Sequence, residues 1–232
     1  ITYTIVIGEG GALSNNTDPV PATSNGDDST LNGSDITLVT VTGGGKGGLR
    51  SSVAGTEGGD GGSGGGGGST SSTGATPGAG NTPSTSPSQG FAGGVGANLG
   101  AYRGGGGGGA GAAGGSSASG GSGGVGLDMS AVINNTNAAT AEGTGGGGGG
   151  GSYPTALNAA KGGRGVVILR YDATRTATTS GFTAEAGPYT EGSYKVLVLK
   201  EGTGTVTFSG TPTVGRPVTG GSYILEDGEF RY

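Results

Sequence analysis

Long glycine runs constrain the fold of this chain more than any other feature of its sequence. Residues 104–115 are all glycine or alanine, and glycine-dominated tracts also occupy residues 61–68 and 145–151. Glycine has no side chain to bury, and ordering it costs about 0.5–1 kcal/mol more than ordering alanine. Backbone N–H and C=O groups are therefore the groups that must hold such tracts in an ordered structure.

An extended glycine strand of the polyproline-II type meets this requirement. It has three residues per turn, rises about 3.1 Å per residue and makes no internal hydrogen bonds, so its amides are free to bond to neighbouring strands. We therefore predict a bundle of parallel and antiparallel polyglycine-II strands, with residues 104–115 as one scaffold strand. Collagen is disfavoured, because the chain has no strict Gly-X-Y period and only nine prolines.

Segments rich in β-branched residues frame the glycine tracts. Residues 1–7, 35–42 and 162–171 have the composition and patterning of strands. Residues 12–34, rich in Asn, Asp, Ser and Pro, are predicted to form a polar loop. The glycine tracts are therefore expected to begin and end on β-structure.

The last part of the chain predicts a small all-β module, a sandwich or part of one. After a Thr/Ser-rich connector at residues 172–180, two strand candidates at 193–200 and 204–208 are separated by a segment typical of a tight hairpin. Shorter candidates follow at 221–225 and 230–232.

The predicted fold class is accordingly mainly β and irregular, with essentially no helix. It combines a polyglycine-II strand bundle framed by β-strands with a small C-terminal all-β module. We expect a glycine-rich bundle domain at residues 1–175 and the all-β module at residues 176–232.

Composition excludes several classes of function. The chain has no cysteine and no histidine, which removes disulfides, thiolate zinc sites and Ser-His-Asp chemistry. The net charge is −5 and the basic residues are scattered, whereas nucleic-acid-binding proteins usually carry a clustered basic surface. The longest strongly apolar run, residues 166–169, is too short to cross a membrane. We expect no cofactor, no metal, no nucleic-acid partner and no membrane insertion.

The order of elements resembles the glycine-rich domains of bacteriophage tail-fibre proteins and tail-tip adhesins. The first strand is followed by GEGG at residues 8–11, and the glycine tracts close on GGRGVVILRY at residues 162–171. This closing segment is the most specific part, and the resemblance covers about residues 1–171. In such adhesins, polyglycine-II strands pack in layers and the connecting loops contact the host receptor.

The resemblance implies a non-enzymatic virion protein on the virion surface or outside the cell, acting in structure or attachment. Its expected partners are other virion proteins and a host cell-surface receptor or glycan, with a homo-oligomer as a further expectation. The alternatives are an ice-binding or extracellular-matrix glycine-rich protein, and a tailspike-like polysaccharide depolymerase. The 16 acidic residues permit a carboxylate pair for such an enzyme, but no spacing singles one out.

Five residues bordering the glycine tracts are candidates for receptor binding: Phe91, Leu99, Tyr102, Arg103 and Tyr153. Exposed aromatic residues and arginine are typical of binding surfaces. The alternative is that they pin the ends of loops onto the bundle.

Two other motifs point to chemistry only weakly. Lys46 within a glycine run resembles a phosphate-binding loop, but Gly47 stands where Ser or Thr would be needed. Oxygen-bearing residues are dense between Asn25 and Asp35, as in hard-cation sites, but an ordinary Asx-rich turn is the favoured interpretation.

Overall fold

The computed structural model describes residues 1–12, 23–49, 57–69, 74–96, 103–119, 121–126, 146–150, 160–210, 224–226 and 229–231. Within these ranges the regular structure is β, apart from one short 3₁₀ helix at Ser117–Ser119. The strands are β1 (Thr2–Ile7), β2 (Ser29–Gly33), β3 (Ile36–Val41), β4 (Val167–Asp172), β5 (Thr176–Glu191), β6 (Tyr194–Ser209), β7 (Ile224–Glu226) and β8 (Glu229–Arg231). The predicted class, mainly β with essentially no helix, is confirmed.

A six-stranded antiparallel sheet is organised around the long strand β6. β5 pairs with β6 along its whole length. On the other edge of β6, β1 pairs with residues 202–207 and β4 pairs with residues 194–199. β2 and β3 extend the sheet outward from β1. β7 and β8 form a separate two-stranded ribbon.

β1 and β4 therefore lie end to end along one edge of β6, and the glycine-rich region is the excursion between them. The amide of Gly165 donates to the carbonyl oxygen of Gly8 at 2.9 Å, and the amide of Gly11 donates to Gly162 at 3.2 Å. The end of β1 and the approach to β4 thus lie side by side in a two-stranded neck formed by residues 8–11 and 162–165, while β2 and β3 return to the sheet in between. Beside the neck, Arg164 forms an ion pair with Glu201 of β6 at 2.6 Å.

The sheet curls into a half-barrel around an apolar core. Tyr171 is opposite Lys195 at the start of β6, whereas Phe208 lies near its end. In a flat strand those positions would be about 40 Å apart, yet the Tyr171 and Phe208 ring centroids are 5.0 Å apart. The core comprises Tyr3, Ile5, Ile7, Leu31, Leu169, Tyr171, Leu197, Leu199, Val206 and Phe208. The alternation predicted for β1 supplies three of them.

The glycine tracts form a bundle with the predicted hydrogen-bonding period. Successive amides of residues 64–67 donate to three different neighbouring segments and then return to the first. Their acceptors are, in order, the carbonyl oxygens of Phe91, Gly59, Gly148 and Gly94. Because Phe91 and Gly94 are also three residues apart, both partners follow the three-residue turn of a polyproline-II-type strand. The bundle is held by backbone hydrogen bonds, as predicted.

Three sequence-based details were wrong. Residues 104–115 are not one strand, because the chain turns at residues 110–113, where the amide of Gly109 donates to Ala112 at 2.9 Å. No hairpin separates residues 193–200 from 204–208, since both belong to β6. The supposed connector at 172–180 contains the start of β5, a strand that pairs along all of β6.

The predicted polar loop at residues 12–34 also contains a strand, β2, which pairs with both β1 and β3. In place of a sandwich, the described part of the C-terminal region contributes β5 and β6 to the curled sheet. The boundary predicted near residue 175 falls between β4 and β5, and β6 pairs with strands from both sides of it. The division into two independently folding units stays a prediction.

Candidate recognition surface

Consecutive segments of the bundle run up and down, so the bundle has two distinct ends. The sheet end carries the neck and the start of the segment that follows β3, where the amide of Thr42 donates to the side chain of Gln89 at 2.6 Å. We call the opposite end the distal end. Residues 43–49 lead from one to the other, a length of about 19 Å at the rise of such strands.

The distal end gathers the ends of many bundle segments. Thr23 donates its hydroxyl to the carbonyl oxygen of Gly47 at 3.2 Å, and the amide of Ala160 donates to Gly149 at 2.8 Å. Gly96 donates to Ala75 at 3.1 Å nearby. The chain stretches that join these segment ends include residues 13–22, 50–56, 70–73, 97–102 and 151–159. The described residues that flank these stretches therefore lie at the end remote from the sheet.

Of the five candidate receptor-binding residues, the structure describes Arg103 and Phe91, and Arg103 lies at the distal end. Arg103 is exposed at the start of a bundle segment, and the next residue, Gly104, packs against Gly150. Leu99 and Tyr102 fall within the connection 97–102, and Tyr153 within 151–159; these three lie outside the described residues. Their role in receptor binding stays a prediction.

Phe91 is the exception, because it lies at the sheet end. Its amide donates to Gly109 at 3.0 Å, and its carbonyl oxygen accepts from Gly64 at 3.0 Å. The side chain is 44% exposed. Six residues of a bundle segment separate Gly109 from Arg103, about 19 Å at this rise. Phe91 and Arg103 therefore do not form one site.

An ordered loop at residues 80–89 sits beside Phe91. Its centre is Asn81, whose side-chain oxygen accepts from the amide of Thr85 at 3.2 Å, the hydroxyl of Thr85 at 2.8 Å and the amide of Gln89 at 3.1 Å. Asn81 adopts a left-handed backbone conformation, with φ of 50°, which asparagine tolerates better than most residues. No pattern in the sequence singles out Asn81, although NTPSTSP at residues 81–87 is typical of tight turns.

The oxygen-bearing residues considered for a cation bind backbone amides instead. Asn25 accepts from the amide of Lys46 at 2.9 Å, Asp28 from Gly43 at 2.9 Å and Asp60 from Ala79 at 2.7 Å. They satisfy donors at positions where bundle segments lack a backbone partner. Within the described part of the chain, no group of three or more acidic residues is placed to hold a metal ion.

Strongly perturbed ionisable groups lie in the half-barrel rather than in the bundle. Burial, together with the hydrogen bond that its hydroxyl donates to Asp35 at 2.8 Å, raises the pKa of Tyr3 well above its ordinary value. Burial also raises the pKa of Tyr171. Both rings contact Phe208 edge to face. These tyrosines support the core, and their protonated hydroxyls fit that role.

The fold and the two-ended bundle define a class of protein, a glycine-rich backbone-bonded scaffold carried on a β-sheet. The family model described as a glycine-rich domain matches residues 1–172, and the chain belongs to that family. The match ends where β4 ends, so β5 and β6 lie beyond it. No curated protein and no solved structure matches the chain significantly. Among the described residues, no helix is long and apolar enough to cross a membrane.

Proposed function

We propose that this chain is a non-enzymatic virion protein of the phage tail-fibre, adhesin or decoration type, located on the virion surface. The bundle is the scaffold, and the connections at its distal end contact a host receptor or glycan. The observation that carries the proposal is the geometry of the ends. The ends of many bundle segments lie together about 19 Å from the sheet, and backbone hydrogen bonds join these segments to one another.

The two ends of the bundle differ, and the difference supports attachment at the sheet end and recognition at the distal end. At the sheet end, Thr42 is tied to Gln89 and Asp28 to Gly43, and the neck joins the bundle to β1 and β4. This end suits attachment to the remainder of a particle. Beside these distal segment ends the sequence has Tyr102, Arg103 and Tyr153, and tyrosine and arginine are common anchors in interfaces; Leu99 adds an apolar side chain nearby in the sequence. An ice-binding surface is less favoured. It needs a regular exposed array of small residues, and in the Ser/Thr-rich stretch at residues 69–76, the nearest candidate, Ser69 is fully buried.

The proposal is tested by locating the protein and by measuring its binding. Immunogold labelling of particles from the source is expected to find it on tails, fibres or capsids. Purified protein is expected to adsorb to candidate host cells or their envelope glycans, and Tyr102→Ala with Arg103→Ala is expected to reduce adsorption about tenfold or more. Phe91→Ala, at the other end of the bundle, is the matched control and should adsorb normally.

The outcomes separate the versions of this proposal. Labelled particles without adsorption would favour a shaft or decoration protein. Adsorption lost equally in the distal variants and in Phe91→Ala would remove the assignment of recognition to the distal end. Absence of the protein from every particle fraction would overturn the virion assignment.

A further inference from the structure

A fully packed strand of this bundle has six neighbours, because its amides point in three directions and its carbonyl groups in three others. Residues 63–67 show this arrangement, since their amides donate to three segments and their carbonyl oxygens accept from three more. Residues 103–109 are bonded to five segments, which are residues 63–67, 90–96, 112–117, 121–126 and 146–150. Among the described residues, no segment occupies the sixth position beside residues 103–109.

The sixth position is a groove with residues 103–109 as its floor. Its walls are residues 121–126 and 146–150, which bond to the floor but not to each other. The amide of Gly107 points into this groove, because the two preceding amides donate to two other segments and successive amides turn by one third of a circle. Within the described part of the chain, this amide has no acceptor, although Gly107 is buried. Buried amides without an acceptor are rare in proteins, so this one marks a position for a further strand.

The walls present hydrogen-bond acceptors to the groove. Gly147 and Gly150 on one wall and Gly124 on the other donate their amides to the floor. A Cβ on each of them would meet a segment on the side away from the groove. The carbonyl group of such a residue lies on the opposite side of its amide from the Cβ position, as at Gly148. The three carbonyl groups therefore face the groove, and they accept no hydrogen bond from the described residues.

Both walls carry glycine at positions where a side chain would fit. A Cβ at Gly123, Gly146 or Gly149 would have its nearest neighbour, a carbonyl oxygen of the floor, at 3.9 Å, and a Cβ at Gly126 would have no atom within 4 Å. Crowding by the described residues therefore does not require glycine at these four positions. Elsewhere on the bundle surface such room is used by side chains, as at Val125, which is 64% exposed. A strand lying in the groove would contact the four glycines and so account for them.

We propose that this groove binds a polyproline-II-type segment of another protein, with glycine at every third residue. Such a strand supplies a carbonyl oxygen for the amide of Gly107 and amides for the carbonyl groups of both walls. One side chain in three points at the floor, so that position must be glycine, whereas the other two side chains point to solvent. Residues 127–142, which follow one wall in the sequence, contain no glycine and do not meet this requirement.

The two other positions of the repeat have different requirements. In a Gly-X-Y repeat, the amides of Gly and X face the two walls, and the carbonyl group of X faces the amide of Gly107. The amide and side chain of Y point to solvent, so Y can be proline. Proline at X removes an amide that the groove needs. The groove is therefore selective for the order Gly-X-Pro over the order Gly-Pro-X.

Two peptides of identical composition test this selectivity: three repeats of Gly-Ser-Pro and three repeats of Gly-Pro-Ser. The full chain is titrated with each peptide, and the amide of Gly107 is followed by NMR. The Gly-Ser-Pro peptide is expected to shift this amide saturably, at a concentration at least about tenfold lower than the Gly-Pro-Ser peptide, because each lost hydrogen bond weakens binding. Equal responses to the two peptides, or no response at Gly107, would overturn the proposal.

A matched pair of variants tests the location. Gly149→Ala places a methyl group in the groove without crowding the rest of the bundle. It is expected to weaken binding of the Gly-Ser-Pro peptide at least about tenfold while the circular dichroism spectrum stays unchanged. Val125→Ala shortens an exposed side chain outside the groove and should bind the peptide as the unmodified chain does. Unaltered binding by Gly149→Ala, or an equal loss in both variants, would place the peptide elsewhere and contradict the proposal.

Discussion

The backbone of Gly148 lies so close to the carbonyl oxygen of Ala160 that an added Cβ would overlap it, far inside the 3.0 Å below which real Cβ contacts are not found. The next residue, Gly149, differs sharply. A Cβ there would have its nearest neighbour, the carbonyl oxygen of Gly105, at 3.9 Å. Of these two adjacent glycines, Gly148 has no room for a Cβ atom and Gly149 has room for one. The stabilities of the two alanine variants should therefore differ measurably.

We expect Gly148→Ala and Gly149→Ala to change stability in opposite directions. Gly148→Ala overpacks the bundle and should destabilise it by about 1–3 kcal/mol. Gly149→Ala fits without contact and reduces the freedom of the unfolded chain, so it should stabilise by about 0.4–1 kcal/mol. Urea denaturation followed by circular dichroism gives both values. Identical midpoints would show that the tract is not closely packed.

Removing the centre of the loop at residues 80–89 should loosen that loop. Asn81→Ala deletes the oxygen that Thr85 and Gln89 share and forces alanine into a left-handed conformation, so we expect a loss of about 2–3 kcal/mol. Asn81→Asp keeps the acceptor and should lose less. Amide hydrogen exchange at Thr85 and Gln89 reports the change locally. Unaltered protection in Asn81→Ala would contradict the assigned role.

Alkaline pH should weaken the half-barrel. The pKa of Tyr3 is raised in the folded protein by burial and by Asp35, so folding favours the protonated hydroxyl. The corresponding stability is complete below the unfolded pKa of about 10 and is lost as the pH rises above it. The urea midpoint should therefore fall steadily from pH 10 upward, and less steeply in Tyr3→Phe. Parallel pH profiles for the two proteins would refute this assignment.

The ion pair beside the neck should contribute little. Both side chains are nearly half exposed, 46% for Arg164 and 43% for Glu201, and exposed pairs are typically worth about 0.2–1 kcal/mol. A double-mutant cycle with Arg164→Ala and Glu201→Ala is expected to give a coupling in that range, reduced by added salt. A coupling free energy of several kcal/mol would mean that this ion pair contributes substantially to holding the bundle against the sheet.

The sequence predicted those parts of the fold that carry side-chain patterns. β1 and β3 were predicted because β-branched residues alternate in them, and the bundle was predicted because glycine leaves only the backbone to bond. β2 escaped because Leu31 is its one apolar side chain, and β5 because small and polar residues fill it. The glycine at position 202 indicated a turn in the sequence. In the structure Gly202 has φ of 99° and lies within the paired strand β6.

Of the candidate surface, the sequence could predict only where a bundle segment begins. Arg103 differs from glycine and stands at the start of such a segment in the structure. A glycine tract carries no signal for its direction, so neither the turn at residues 110–113 nor the placement of Phe91 at the sheet end could be inferred. Both features depend on which carbonyl oxygen each backbone amide binds. The amide of Phe91, for example, donates to the carbonyl oxygen of Gly109.

The hydrogen bond between Gly8 and Gly165 has a consequence for how such a protein can diverge. The glycine-rich stretch that follows β3 returns to the sheet here, beside the end of β1, so the residues between β3 and β4 can be exchanged without changing the register of β1, β2 and β3 or that of β4 on β6. Connections at the far end lengthen or shorten without reaching the sheet. Selection for a different binding partner can therefore change the distal end of the bundle quickly, while the sequences of the sheet strands stay the same.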